Sequence, residues 1–149
     1  MNEAVSIGQA TAEDRAAVWR LLEQHRLPLD GLSAHWGTTL VAKRGSRVIG
    51  CAALEPYADG ALLRSVAVAA DEQGRGLGQQ LTHAALQLAI QRGMPALYLL
   101  TTTAGGFFPK FGFEQISRAD VPASVQVSVE FTSACPSSAT VMRKRLPPV

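Results

Sequence analysis

Leu62–Gly78 reads LLRSVAVAADEQGRGLG and runs straight into QQLTHAALQLAIQRG, which ends at Gly93. The stretch is an apolar strand, a glycine-rich turn, and an amphipathic helix whose first turn carries no acidic side chain. Gly74, Gly76 and Gly78 have no Cβ, so a ligand can come close to the backbone there. The free N–H groups of a helix start point outward with the positive end of the helix dipole. A turn of this composition is suited to an anion, and Arg75 adds a positive charge beside it. A phosphate or pyrophosphate is the expected guest.

Spacing narrows the choice of phosphate ligand. A nucleoside-triphosphate loop needs Gly-x-x-x-x-Gly-Lys-Ser/Thr, and neither a lysine nor a hydroxyl follows Gly76 or Gly78 directly. A dinucleotide fingerprint needs Gly-x-Gly-x-x-Gly with an acidic residue about twenty positions on. Here the glycines alternate, and no acidic residue lies between Gln79 and Phe113. The remaining pattern is Gln73-Gly74-Arg75-Gly76-Leu77-Gly78, a Gln/Arg-x-x-Gly-x-Gly/Ala motif behind a strand. It resembles the acetyl-coenzyme A loop of the GNAT acyltransferase superfamily.

The bulk of the chain is consistent with one small globular domain. Its 149 residues can bury a proper core, and its net charge is only +2. The cluster Arg143-Lys144-Arg145 lies in a terminal strand, where its side chains alternate, so a solvated face is expected and no nucleic-acid partner. No apolar run reaches the roughly eighteen residues of a membrane helix. The N-terminus lacks the pattern of a secretion signal, and Cys51 and Cys135 have neither disulfide nor zinc spacing. A cytoplasmic protein without a metal is expected.

Outward from the central unit, Val5–Ala10 reads as a strand. Thr11 and Asp14 read as a helix start, with Ala17, Val18, Leu21 and Leu22 on one stripe that ends before Pro28. Asp30–Trp36 is a second short helix. Thr39–Lys43 and Arg47–Leu54 flank a hairpin turn at Arg44-Gly45-Ser46, and Pro56–Gly60 forms another turn before the strand Ala61–Ala69. The helix Gly78–Arg92 closes at Gly93, and Ala96–Thr101 is a buried strand. Ala104–Phe111 is a short helix ended by Gly112, followed by a strand at Phe113–Ile116. Val125, Val127 and Val129 alternate as in a strand while Pro122 is a helix opener, and the helix is preferred. Thr140–Leu146 is the last strand, expected at a sheet edge where a second subunit would pair. A monomer or homodimer follows.

This order of elements resembles the GNAT fold from Val5 to Leu146. The resemblance implies a mixed α/β domain with a twisted, mostly antiparallel sheet of six to seven strands. That sheet splays between the fourth and fifth strands, with about four flanking helices. Ala104–Phe113, reading AGGFFPKFGF, is similar to the family's helix that ends in Gly-Phe and flanks the pantetheine arm. The run Leu99–Ala104 followed by Phe107-Phe108 resembles the acetyltransferase domain of N-acetylglutamate synthases. With Ser133–Ala139, it also resembles small acetyltransferases of arsenic-resistance operons.

The resemblance further implies acetyl-CoA as cosubstrate and transfer of its acetyl group to a small amine, an amino acid or a glutamate-like or arsenical analogue. The alternative is a coenzyme A-binding sensor that has lost catalysis. By position, the Val66 N–H meets the thioester carbonyl and Val68 pairs with the pantetheine amides. Gln73, Gly74, Arg75, Gly76, Leu77 and Gly78 hold the pyrophosphate. Relatives place a glutamate base on the central strand, but Leu62-Leu63-Arg64-Ser65 has no carboxylate. They place a tyrosine acid four residues before Gly-Phe, where this chain has Phe108, here assigned to the cofactor wall.

The other candidates follow from position. Arg64, read as sharing a strand face with Val66 and Val68, is placed to bind a substrate carboxylate, with a surface or ion-pair role as the other reading. Ser65 and Cys135 are candidate catalytic groups, each also readable as structural. Thr101 is placed to contact cofactor or acceptor, and His35 beside Trp36 to line the acceptor cleft, with surface placement as its other and preferred reading. Cys51 is core.

Overall fold

Alternating apolar residues make seven strands in the computed structural model, which describes residues 4–102, 106–134 and 138–147. The strands are β1 (Val5–Gln9), β2 (Thr39–Arg44), β3 (Arg47–Tyr57), β4 (Gly60–Val68), β5 (Ala96–Thr101), β6 (Glu114–Ile116) and β7 (Thr140–Arg145). The helices are α1 (Arg15–Gln24), α2 (Leu77–Gln91) and the single turn α3 (Ala123–Gln126). One mixed sheet runs β1-β2-β3-β4-β5-β7-β6. Its neighbours are antiparallel except β4 and β5, which are parallel.

Local chemistry explains the helix entry. The Thr11 N–H donates to the Asp14 carboxylate at 2.9 Å, as in a capping box, and Lys43 on β2 reaches the same carboxylate at 2.8 Å. The stripe Val18, Leu21 and Leu22 is buried against the sheet. On α2 the buried stripe is Leu77, Leu81, Ala85, Leu86 and Ala89, the i, i+4 spacing of one helix face. A second, smaller core joins Leu62 and Tyr98 to Val121, Val125 and Val141.

Four expectations are corrected. β3 continues through Pro56 to Tyr57, because its pairing with β4 carries on at Leu54↔Leu63, Glu55↔Leu62 and Pro56↔Ala61, so the turn shrinks to Ala58-Asp59. The helix expected at Ala104–Phe111 is, among the described residues, one 3-10 turn at Phe108–Phe111. Pro109 favours a helix start there, and Gly112 at φ 89° ends it. Asp30–Trp36 is replaced by a 3-10 segment at Leu32–Thr38 with a kink at His35. β7 is not at an edge: it lies between β5 and β6, paired on both sides.

The feature that shapes the site is the divergence of β4 from β5. These two strands pair only at Ala61↔Leu97 and Leu62↔Tyr98, while β5 stays paired to β7 as far as Thr101↔Thr140. Beyond Leu62, one edge of β4 opens into a cleft.

Packing of α2 over β3 depends on Gly50. A Cβ there would lie 2.8 Å from Leu81 Cδ1 and 3.1 Å from the Ala67 carbonyl oxygen. Gly50→Val is expected to lower unfolding stability by about 1–3 kcal/mol through overpacking, read as a lower urea midpoint with an unchanged m-value.

Candidate active site

The turn before α2 is built by two left-handed glycines, Gly74 at φ 81° and Gly76 at φ 79°. A Cβ on either would meet nothing within 4 Å. Their outer side is therefore open space, and the backbone there is accessible to a ligand. A cavity of about 440 Å³ lies over the turn, lined by Val66, Val68, Gln73, Leu77, Gly78 and Phe107 among others. The Gln73 amide donates to the Val68 carbonyl at 3.1 Å and ties the turn to the end of β4.

Two acids precede the turn, and both are held by arginines. Arg44 grips Glu72 with Nε at 3.2 Å and Nη2 at 3.0 Å, and Arg47 grips Asp71 at 2.9 and 2.8 Å. The hydrogen bond from Arg44 holds the Glu72 carboxyl below its ordinary range, and Arg47 does the same for Asp71. Their charges are thus matched locally and do not oppose an anion at the α2 terminus. Arg75 is exposed, with Nη1 3.6 Å from Glu72.

On β4, one extra residue breaks the alternation. Ala53 faces Arg64 and Cys51 faces Ala67, so Ser65 and Val66 together oppose Ala52. Ser65 takes φ 59°, a left-handed conformation costing on the order of 1 kcal/mol for a non-glycine residue. Two bonds hold it there. Its hydroxyl accepts from Arg64 Nε at 3.0 Å, and its carbonyl accepts from Cys51 Sγ at 3.1 Å. Burial pushes the Cys51 thiol up to about 12, in keeping with an inert core residue. Past the bulge, the Ala69 N–H donates to Ile49 on the β3 side at 2.8 Å. Successive amides point to opposite edges, so the N–H groups of Val66 and Val68 face the open cleft.

The bulge also corrects the expected direction of Arg64. Directly opposed residues share a face, and Ala53 and Cys51 are two apart on β3, so Arg64 lies on the face of Ala67 and not with Val66 and Val68. Its side chain is 0% exposed and binds Glu55 Oε2 at 2.8 Å. It also donates to the carbonyls of Asp30 at 2.6 Å and Pro28 at 3.0 Å, and Nη2 lies 3.8 Å from Glu130 Oε2. The guanidinium is committed to protein partners, which excludes the substrate-carboxylate role.

Glu55 is equally occupied. Its Oε1 accepts from the hydroxyls of Tyr57 and Ser128. Burial pushes its carboxyl up, but the bonds from Ser128, Tyr57 and Arg64 and the arginine's charge outweigh it and hold the group below its ordinary value. The same burial and the Glu55 bond push the Tyr57 phenol up to about 12. Glu55, Tyr57, Ser128 and Glu130 were not singled out by sequence reasoning. A lone carboxylate in the apolar strand Val48–Tyr57 and a lone arginine in Ala61–Val68 were the available signal, since buried charges need partners.

The other candidates divide. His35 is partly exposed beside Glu55 and Tyr57. Thr101 ends β5, half-buried, and is not among the residues lining the cavity. Phe108 is turned into the core against Phe113, and its neighbour Phe107 lines the cavity instead, because the 3-10 turn begins at Phe108. His25, beyond the end of α1, also lines the cavity, a place that no local motif signals. Cys135 lies outside the described residues.

Removing the guanidinium would strand a buried carboxylate. Arg64→Met is expected to cost about 3–5 kcal/mol at neutral pH, measured by urea unfolding. Glu55 has a depressed folded pKa, so its contribution is present above the unfolded carboxylate pKa and is lost as pH falls through the folded one. The gap between wild type and Arg64→Met should therefore close on acidification.

Residues 35–115 match the family model described as "Acetyltransferase (GNAT) domain". An amino-acid acetyltransferase of Neisseria meningitidis is 30% identical over 127 residues, covering 79% of this chain and 29% of the relative. An uncharacterized N-acetyltransferase of Chlorobaculum tepidum is 25% identical over 127 residues, covering 80% and 81%. Among solved structures, N-acetylglutamate synthase from Neisseria gonorrhoeae, complexed with coenzyme A and N-acetyl-glutamate, superposes with a TM-score of 0.83 at 24% identity. That match covers 99% of this chain and 36% of the other. The chain thus spans about a third of the length of the amino-acid-acetylating relatives that it matches. The open β4 edge, the glycine turn and the family match over residues 35–115 converge: this chain belongs to the GNAT acetyltransferase family.

Proposed function

We propose that the chain binds acetyl-CoA over the turn Gln73–Gly78 and transfers its acetyl group to the amine of a small molecule, an amino acid or amino-acid analogue. The observation that carries this reading is the pair of cleft-facing amides at Val66 and Val68, directly above a glycine turn that leads into α2. Gly74 and Gly76 face open space, which suits a pyrophosphate drawn close to backbone N–H groups. Val68 and its neighbours would pair with the pantetheine amides in the manner of an added strand. Val66 would donate to the thioester oxygen, which becomes an oxyanion when the amine attacks. A preorganised donor of this kind is worth about 3 kcal/mol of transition-state stabilisation.

Phe107 and Leu77 supply apolar wall along the pantetheine path, and Arg75 reaches the diphosphate from outside. The acceptor class rests on the relatives, one named as an amino-acid acetyltransferase and one crystallised with N-acetyl-glutamate. Because Arg64 is internally paired, an acceptor carboxylate would have to be met by another group. Glutamate-like and arsenical amino acids are therefore tested beside simple amines.

Amine-dependent release of free thiol from acetyl-CoA is the direct test. Turnover with an amino acid supports the reading, and tight acetyl-CoA binding by calorimetry with no turnover on any amine would reassign the chain as a sensor. Gly76→Val should weaken acetyl-CoA binding at least 100-fold while the circular dichroism spectrum stays unchanged. Unaltered affinity would remove the phosphate assignment.

A further inference from the structure

An amine reaches the thioester as an ammonium ion and must lose a proton before it can attack. β4 carries no carboxylate in Leu62-Leu63-Arg64-Ser65, where a base is expected, and its one charged residue there is Arg64. The nearest carboxylates are poorly suited to serve as that base. Glu55 is 1% exposed, with Oε2 bonded to Arg64 and Oε1 bonded to two hydroxyls. Glu130 is buried with Oε2 3.8 Å from the same guanidinium.

Beside them stands His35. The Thr39 hydroxyl donates to its carbonyl at 3.0 Å, within the kinked segment Leu32–Thr38. Its ring meets Tyr57 edge-on at 6.0 Å, and Nε2 lies 3.9 Å from Glu55 Oε1. That separation exceeds a direct hydrogen bond, and the ring stands at the rim of the buried Glu55–Arg64 pair. The side chain is 21% exposed, so a proton taken up can return to solvent. Glu55 leads through Arg64 to Ser65, the residue before Val66, so His35 belongs to the same polar network as the thioester edge. Gly31 helps to close this side of the site: a Cβ there would lie 2.7 Å from Val129 Cγ1 and 3.5 Å from Arg64 Nη1.

We propose that His35 is the general base of this acetyltransferase, standing at the partly exposed rim of the buried Glu55–Arg64 pair. The inference rests on the acetyl-transfer reading above. Neutral His35 takes one proton from the acceptor ammonium. The freed amine nitrogen bonds to the thioester carbonyl carbon, and the Val66 N–H meets the oxyanion. Collapse breaks the carbon–sulfur bond, the second nitrogen proton goes to the leaving sulfur, and the imidazolium releases its proton to water. The products are the amide, the free thiol of coenzyme A and one proton.

Glu55 and Tyr57 on β3 face the His35 ring; Arg64 adjoins through Glu55, and Glu130 through Arg64. An imidazole changes charge between about pH 5 and 8, so kcat/KM of the wild type should fall on the acid side along a single ionisation. His35→Gln should lose about 100-fold in kcat/KM near neutrality. The deficit should shrink at high pH, where the amine deprotonates unaided, and the limb near neutrality should give way to one set by the amine's own, higher ionisation. Acetyl-CoA affinity by calorimetry should stay within about twofold, since the residue does not line the cofactor cavity. Imidazole added to His35→Ala should restore part of the rate. Independently of any variant, the His35 ring resonance in the wild type should titrate and move when the acceptor is added to the acetyl-CoA complex.

A His35→Gln enzyme with wild-type kcat/KM and an intact acid limb would overturn the proposal, as would a limb removed by Glu130→Gln and not by His35→Gln. A ring resonance indifferent to the acceptor would do the same. A wild type that binds acetyl-CoA and acetylates nothing would instead overturn the acetyl-transfer reading, so the two failures are distinguishable.

Discussion

The Arg64 guanidinium joins four segments that are remote in sequence. It binds the Glu55 carboxylate on β3, the carbonyls of Pro28 and Asp30 in the loop after α1, and the Ser65 hydroxyl within the β4 bulge, and it lies against Glu130. A buried charge is stable only when it is paired and hydrogen-bonded, so these contacts are mutually dependent. The bond to Ser65 is the one with functional reach. It helps to hold a serine in a left-handed conformation, and that conformation reverses the alternation of β4. The amides of Val66 and Val68 consequently face the cleft while Ala67 packs into the core. A buried ion pair thereby determines which backbone donors a ligand can reach.

The anion-binding end follows the same logic with surface charges. Asp71 and Glu72 sit immediately before a turn that is suited to a phosphate, a placement that would repel the ligand if the acids were unpaired. Arg44 and Arg47, flanking the β2–β3 hairpin, neutralise them bidentately. The turn is fastened to the sheet through those acids while the net field at the α2 terminus stays positive. Arg75 shares Glu72 with Arg44 and is exposed to solvent.

The glycine turn was legible in the sequence because its signal is local: strand, alternating glycines and a long amphipathic helix are contiguous. Strand and helix identity were legible for the same reason over most of the chain. The bulge was hidden because LLRSVAV fits a period of two without interruption, and one unpaired residue reverses every assignment that depends on direction. Arg64 was therefore read onto the face of Val66. The place of β7 between β5 and β6 was hidden because strand order is a long-range property. Phe107 and Phe108 are chemically equivalent neighbours, and only the start of a 3-10 turn decides which one meets the cavity.

The same comparison explains how the catalytic chemistry is distributed. A carboxylate on β4 would act as a base only if it were exposed to the acceptor and free of a strong partner. At that place the chain has a cation, and its acid lies on the neighbouring strand as Glu55, fully buried and saturated with donors. Such a carboxylate is a poor proton acceptor, because each bond it accepts stabilises the ionised form. Its charge is balanced by the Arg64 guanidinium at 2.8 Å, as those of Glu72 and Asp71 are by Arg44 and Arg47. With His35 as the proposed base, proton exchange would fall to a partly exposed ring beside a buried ion pair, and not to a single exposed glutamate.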